Sequence, residues 1–283
     1  MATDHKADPN ETFLRYVLER LLYRLSQSPH ANEFMLKGAT LFALWEDEPH
    51  RPTRDIDFLG LRERDADQLR EMFGEVCTIE VPDDGVVFDA QGLTVGAIRG
   101  GEAFGGQRVT IEARLGNARL RAQVDIGYGD PLVRLGDLTD LPVLLDFPAP
   151  CLLVYPVEAV IAEKLHAMEE HGMLTSRMKD IYDVVALSER LEFDGVDLTA
   201  AIRATFESRG RPPGEIPPPI TAAFAEDGSA VARWVAFTRK NRLGSVDLAA
   251  AVASARAFLL EPLTALREGE EFPRAWPPGG PWH

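Results

Sequence analysis

Residues Glu33 to Gly60, EFMLKGATLFALWEDEPHRPTRDIDFLG, decide the fold. Phe34, Met35 and Leu36 form a short apolar run. Lys37-Gly38-Ala39-Thr40 follows as a tight turn and feeds an apolar-periodic segment (Leu41, Phe42, Leu44, Trp45) that predicts a helix. Then comes Arg51-Pro52-Thr53-Arg54-Asp55-Ile56-Asp57-Phe58. Read as a strand, this segment alternates its side chains between two faces. Arg51, Thr53, Asp55 and Asp57 line one face, and Ile56 and Phe58 are buried on the other. Two carboxylates two positions apart on a strand repel each other unless a cation lies between them. Their oxygens suit Mg²⁺ or Mn²⁺ better than zinc. The turn upstream supplies the complement. Backbone N–H groups at a helix N-terminus bind phosphate, and Gly38 permits close approach. Together these parts predict a nucleoside triphosphate handled with a divalent metal. Asp-x-Asp also arises by chance in a chain with 45 acidic residues. The reading therefore rests on order, spacing and sites downstream.

A chain of 283 residues allows one large domain or two smaller ones, and 45% apolar residues are ample for a core. The net charge of −15 argues against an extended basic surface for nucleic acid, while leaving room for a focused positive cleft. Cys77 and Cys151 make no disulfide framework and read as reduced, packed thiols. No signal peptide or apolar run of spanning length is apparent, so the expectation is a soluble, cytoplasmic protein without a membrane partner.

Leu14, Val17, Leu18, Leu21, Leu22 and Leu25 predict a core-facing helix from Asn10 to Ser28. A second helix is expected over Asp65–Cys77. Strands follow at Val86–Asp89, Leu93–Ile98, Val109–Leu115 and Arg119–Ile126, separated by hairpin glycines. In the last of these, Arg121, Gln123 and Asp125 share a face. Asp125 reads either as a strand-end carboxylate bonded to a turn or as a third metal-binding acid. Short strands are expected at Val143–Leu145 and Leu152–Tyr155. Pro156 then opens a helix whose apolar face is Val157, Val160, Ile161, Leu165 and Met168. Lys164 lies beside that stripe, and periodicity alone makes it a snorkelling lysine. Thr175-Ser176 signals the next helix. There Arg177 and Asp180 have the spacing of a surface ion pair, worth ~0.2–0.5 kcal/mol. His166 and His171 have no zinc spacing. Arg209–Pro219 reads as a loop, Thr221–Arg239 as helix broken at Asp227-Gly228, and Val246–Leu260 as a further helix. Residues 268–283 read as an extended tail stapled onto the domain by Trp276 and Trp282, with a contact to another protein as the weaker alternative.

Lys37-Gly38-Ala39-Thr40 with Arg51-x-Thr53-x-Asp55-Ile56-Asp57-Phe58 resembles the AbiEii/AbiGii (MenT-like) nucleotidyltransferase toxins of the DNA polymerase β-like superfamily. The family carries Gly-Gly or Gly-Ser where this chain has Gly38-Ala39, so Ala39 lacks a hydroxyl for phosphate. Val124-Asp125-Ile126, Ala162-Glu163-Lys164-Leu165 and Arg177-x-x-Asp180-Ile181-x-Asp183 match its later motifs.

The resemblance implies an α+β fold. Residues 1–150 are expected as an α/β nucleotidyltransferase core with a mixed, largely antiparallel sheet. Residues 151–283 are expected as a helical lobe completing the active-site cleft. It implies Asp55, Asp57, Asp125, Lys164 and Asp180 as catalytic residues, with Asp183 supporting them. Asp55, Asp57 and Asp125 would ligate Mg²⁺ or Mn²⁺. Lys37, Gly38, Ala39, Thr40, Arg51 and Thr53 would hold the nucleotide. The implied partners are an NTP, an RNA acceptor (the tRNA 3′ end) and a cognate antitoxin, with growth arrest as the outcome. A protein acceptor for AMP and a non-catalytic nucleotide-binding module are the rival readings.

Overall fold

A computed structural model describes residues 9–45, 54–98 and 105–283. The chain forms two compact units, residues 1–130 with 135–155, and residues 131–134 with 156–283.

The first unit is built on β1 (Phe34–Lys37), β2 (Ile56–Gly60), β3 (Val86–Phe88), β4 (Thr94–Ala97), β5 (Gly106–Leu115), β6 (Ala118–Gly127), β7 (Leu138–Asp140) and β8 (Cys151–Val154). Their order is β3-β5-β6-β2-β1-β8-β7, with β4 also paired to β5. Only β2–β6 and β1–β8 are parallel, so the sheet is mixed and largely antiparallel, as expected. Because β8 pairs with β1, the sheet unit extends to Tyr155.

The long β5–β6 hairpin turns on Gly116-Asn117 between the paired Leu115 and Ala118, with Gly116 at φ 58°. A two-residue loop with positive φ matches the twist of the strands it joins. Val109, Ile111 and Ala113 of β5 and Ala122, Val124 and Ile126 of β6 are buried. That apolar face is covered by α1 (Pro9–Ser26) and α3 (Ala66–Thr78), with the short α2 (Phe42–Trp45) between them in sequence. Phe34 packs against Phe58 and Phe73 with ring centres 5.4 and 5.8 Å apart. Burying such a side chain contributes roughly 1.5–3 kcal/mol. Asp65 caps α3 by accepting from the Asp67 and Gln68 N–H groups, and Gln68 reaches back to the Asp65 N–H.

Three expectations change. Val143–Leu145 forms no strand, because the Leu144 N–H donates to Glu19 Oε2 at 2.8 Å instead of to a ladder. Leu138–Asp140 pairs with β8 in its place. Cys77 is buried, which pushes its thiol up to about 12, but Cys151 is exposed. The α1 helix buries two charges that its leucine periodicity conceals. Arg20 and Arg24 both bond the Asp84 carboxylate, Arg20 at 3.0 Å and Arg24 at 2.7 and 3.1 Å. Burial alone would raise the Asp84 carboxyl, but the bonds from Arg24, the Val86 N–H and Arg20 outweigh it and hold it below its ordinary value.

The second unit is helical: α4 (Val157–His171), α5 (Met178–Arg190), α6 (Gly195–Ser208), α7 (Ala222–Glu226), α8 (Gly228–Lys240) and α9 (Leu248–Glu268). Asp227 breaks α7 from α8 by capping the latter, accepting from the Ala230 N–H at 2.7 Å. Helix α9 is long and apolar enough to cross a membrane by length and composition, where the sequence showed no such run. It packs against α5, α6 and α7 and buries Leu248, Val252, Phe258, Leu259 and Leu263, which makes it the core helix of this unit.

The α9 helix also runs through Pro262 and ends at Glu268, eight residues beyond its expected end at Leu260. Proline has no N–H, so the carbonyl four residues back, that of Phe258, loses its helical donor. The Trp282 indole N–H fills that vacancy at 2.8 Å. Trp276 likewise donates to the Ser188 carbonyl at the end of α5, at 2.7 Å. A short ladder between β9 (Phe193–Asp194) and β10 (Ala275–Trp276) completes the staple, and both tryptophans are buried.

Candidate active site

The polar face of the sheet carries one continuous row. Lys37 on β1 stands opposite Asp57 on β2. Asp57 stands opposite Asp125 on β6. Asp125 stands opposite Arg108 on β5. Residues paired directly across strands point to the same face, ~4.5–5.5 Å apart. The row therefore reads plus, minus, minus, plus. Asp55, two residues before Asp57, projects on that face at the entry to β2, while Ile56 and Phe58 are buried on the other, as expected.

Like charges opposite one another destabilise a sheet unless neutralised. The flanking cations do part of this. Arg108 grips Asp125 with two bonds of 2.7 Å, one to each oxygen. Bonding to Asp125 first, and then the charges of Asp55 and Asp57, hold the Arg108 proton above its ordinary affinity. The Gln123 amide is assigned with its oxygen toward Arg108, at 3.2 and 3.3 Å. At the other end, Lys37 Nζ lies 2.5 Å from Asp130 Oδ2 and 4.9 Å from the centre of the Tyr155 ring.

Gly38 is fixed by this arrangement. Its φ is +75°, and a Cβ there would lie 2.0 Å from Asp57 Oδ2. The turn and the acid pair are therefore in contact, and no other residue fits between them. Ala39 is buried, so it has only its backbone to offer a ligand. Thr40 Oγ1 is buried without a hydrogen bond among the described residues. Arg51 and Thr53 lie outside the described residues.

Hard carboxylate oxygens on adjacent strands have the donor chemistry that Mg²⁺ or Mn²⁺ takes. Among the described residues, however, no three acidic, histidine or cysteine side chains are gathered closely enough to hold a metal together. Both oxygens of Asp125 face Arg108 instead.

The second unit holds the other expected residues. Lys164 on α4 forms a close ion pair with Asp183 on α5 and lies 3.6 Å from Asp180 Oδ1. Arg177 Nε donates to Asp180 Oδ2 at 2.6 Å. Both aspartates are fully buried. The Arg177–Asp180 pair is thus a surface pair on one side only, joining an exposed arginine to a buried carboxylate, and Asp183 is the nearer partner of the lysine. His166 is buried, and its proton affinity is lowered chiefly by desolvation and then by Arg209, whose Nη1 lies 3.0 Å from Nδ1.

Arg108, Asp130 and the closeness of Asp183 to Lys164 were missed in the sequence. Arg108 had one available signal: it alternates with Val109 and Ile111, which places it on the polar side of its strand.

The fold resembles that of two solved proteins. A candidate nucleotidyltransferase from H. pylori aligns with a TM-score of 0.53 and 13% identity over 94% of this chain and 100% of that chain. JHP933 from Helicobacter pylori aligns with a TM-score of 0.52 and 12% identity over 93% and 94%. At such identity the likeness speaks to the fold alone. No curated protein sequence matches the chain. A family model described as "Nucleotidyl transferase AbiEii toxin, Type IV TA system" matches residues 20–259. The chain belongs to the AbiEii nucleotidyltransferase toxin family.

Proposed function

We propose that this chain transfers a nucleoside monophosphate from a nucleoside triphosphate to an RNA acceptor, the 3′ end of a tRNA, in the bacterial cytoplasm. The observation that carries the reading is the contact between the phosphate-type turn and the acid pair, made through Gly38 and Asp57. Asp55, Asp57 and Asp125 would hold Mg²⁺ or Mn²⁺ only once Asp125 turns from Arg108, since the three are not gathered around one point as they stand. Such ions activate an attacking hydroxyl and neutralise a leaving pyrophosphate. The backbone of Gly38–Thr40 seats phosphate, and Lys37 adds positive charge beside it. Lys164, set by Asp183 and Asp180, neutralises triphosphate charge. Arg51 and Thr53 complete the nucleotide set, and a cognate antitoxin restrains the activity.

The acidity of the chain bears on the acceptor. Binding that rests on phosphate contacts falls steeply with salt. A chain of net charge −15 makes few such contacts, so recognition rests on the shape of the acceptor end. Expression of the wild-type chain in a bacterial host is expected to arrest growth and to lengthen tRNA 3′ ends, and the Asp57→Ala chain to do neither. Arrest that depends on Asp57 with unaltered tRNA ends would assign a protein acceptor. No difference between the two chains would assign a binding module.

A further inference from the structure

We propose that Arg108 is the resident counter-cation of the acid face, holding Asp125 when no divalent metal is bound and competing with that metal for the same carboxylate. The inference rests on the metal reading given above and names the residue that sets its affinity. Arg108 stands directly opposite Asp125 and engages both of its oxygens at 2.7 Å. The Asp125 side chain is 16% exposed and that of Arg108 43%, so it is the carboxylate that is shielded from solvent. The next ion pair along the same two strands is different in kind. Arg121 meets Glu112 through a single 3.0 Å bond, with the two side chains 69% and 49% exposed. That pair is an ordinary cross-strand contact.

Asp57 stands directly opposite Asp125 on the neighbouring strand, with Asp55 two residues before it. Arg108 thus neutralises one member of a row of acids that would otherwise repel across two neighbouring strands. A divalent ion does the same electrostatic work with two charges instead of one. Metal and guanidinium are therefore alternatives at Asp125. Loading the metal requires the Asp125 carboxylate to leave the Arg108 fork. This makes Arg108 a positioning residue: it keeps the acids tolerable while the site is empty and sets the metal concentration at which the site fills.

A pair that serves only the sheet behaves otherwise. Its removal lowers stability and leaves metal affinity unchanged. The test uses the full chain as wild type, Arg108→Met and Arg108→Lys. Each is titrated with Mn²⁺ in the absence of nucleotide, with free Mn²⁺ read by electron paramagnetic resonance. Arg108→Met is expected to bind Mn²⁺ about tenfold more tightly than wild type, one charge-assisted pair having been removed from the competition. Arg108→Lys keeps a charge but loses the two-bond fork and is expected to gain about threefold, which reads the effect even if the methionine variant fails to fold. Adding Asp125→Asn to either variant abolishes the gain. The metal-free Arg108→Met chain is expected to melt lower than wild type and to recover on Mn²⁺ addition. Equal or weaker Mn²⁺ binding in both Arg108 variants overturns the inference and leaves the metal reading standing. No Mn²⁺ binding by wild type or either variant overturns both.

Discussion

Lys164 is the residue at which structure most changes expectation. Periodicity makes it a snorkelling side chain, but it lies between two fully buried carboxylates. Removing one partner of a buried pair leaves an uncompensated charge and costs about 3–5 kcal/mol. Lys164→Met is therefore expected to lose both stability and transfer. Lys164→Met with Asp183→Leu removes both charges and is expected to recover most of the denaturation midpoint while transfer stays absent. Recovery of turnover in the double variant would make Lys164 purely structural. Asp84 offers a second residue-scale test. Its folded carboxyl titrates below its unfolded value of about 3.9. Its contribution is then full above that value and is lost as pH falls through the folded one. The stability gap between wild type and Asp84→Asn, measured by denaturant unfolding, is expected to be constant from pH 7 to about 5 and to narrow below about 4. A gap independent of pH would remove Asp84 from the acid response. At this scale the sequence discloses groups that share an element. Asp55 and Asp57 are legible because a strand puts alternate residues on one face. Arg108 with Asp125, Lys37 with Asp130, and Arg20 and Arg24 with Asp84 are partners 17, 93 and 60–64 residues apart, and no local period encodes such pairings.

The elements were readable where pattern and punctuation agree. The β5–β6 hairpin announces itself by alternating apolar residues on both sides of Gly116-Asn117. Val143–Leu145 misleads because its apolar run pairs with no strand among the described residues, and its backbone is held by a glutamate from α1. The true end of α9 was hidden because a proline inside a helix normally stops it, and the compensating donor lies 20 residues further on, in the tail. This arrangement makes a specific prediction. Trp282→Phe keeps the stacked ring on Phe258 but leaves the Phe258 carbonyl without a donor. The expected cost is about 1–3 kcal/mol in the wild-type background. In the Pro262→Ala background the helix supplies its own N–H, so the cost should fall to a fraction of that. A double-mutant cycle by chemical denaturation measures the difference. Equal costs in both backgrounds would mean that the indole N–H does not replace the missing helical donor.

At the scale of the molecule, each of the two units has its own core, one around a sheet and one around α9. The fold class was legible because strands crowd the first half of the chain and long apolar helices the second. The membership of β8 in the sheet was not, because a parallel partner distant in sequence leaves no mark on a four-residue strand. The net charge of −15 argues against a broad basic surface for nucleic acid, and the proposed chemistry rests on one row on one sheet face. The direct test of that row is transfer itself. Purified wild-type chain is incubated with each of the four α-labelled nucleoside triphosphates, Mg²⁺ and total RNA, and resolved on a denaturing gel. The expected result is label in a band of tRNA size with at least one nucleotide, abolished by a chelator and by Asp57→Ala at unchanged thermal midpoint. Label of equal intensity in the tRNA band with Asp57→Ala would contradict the account.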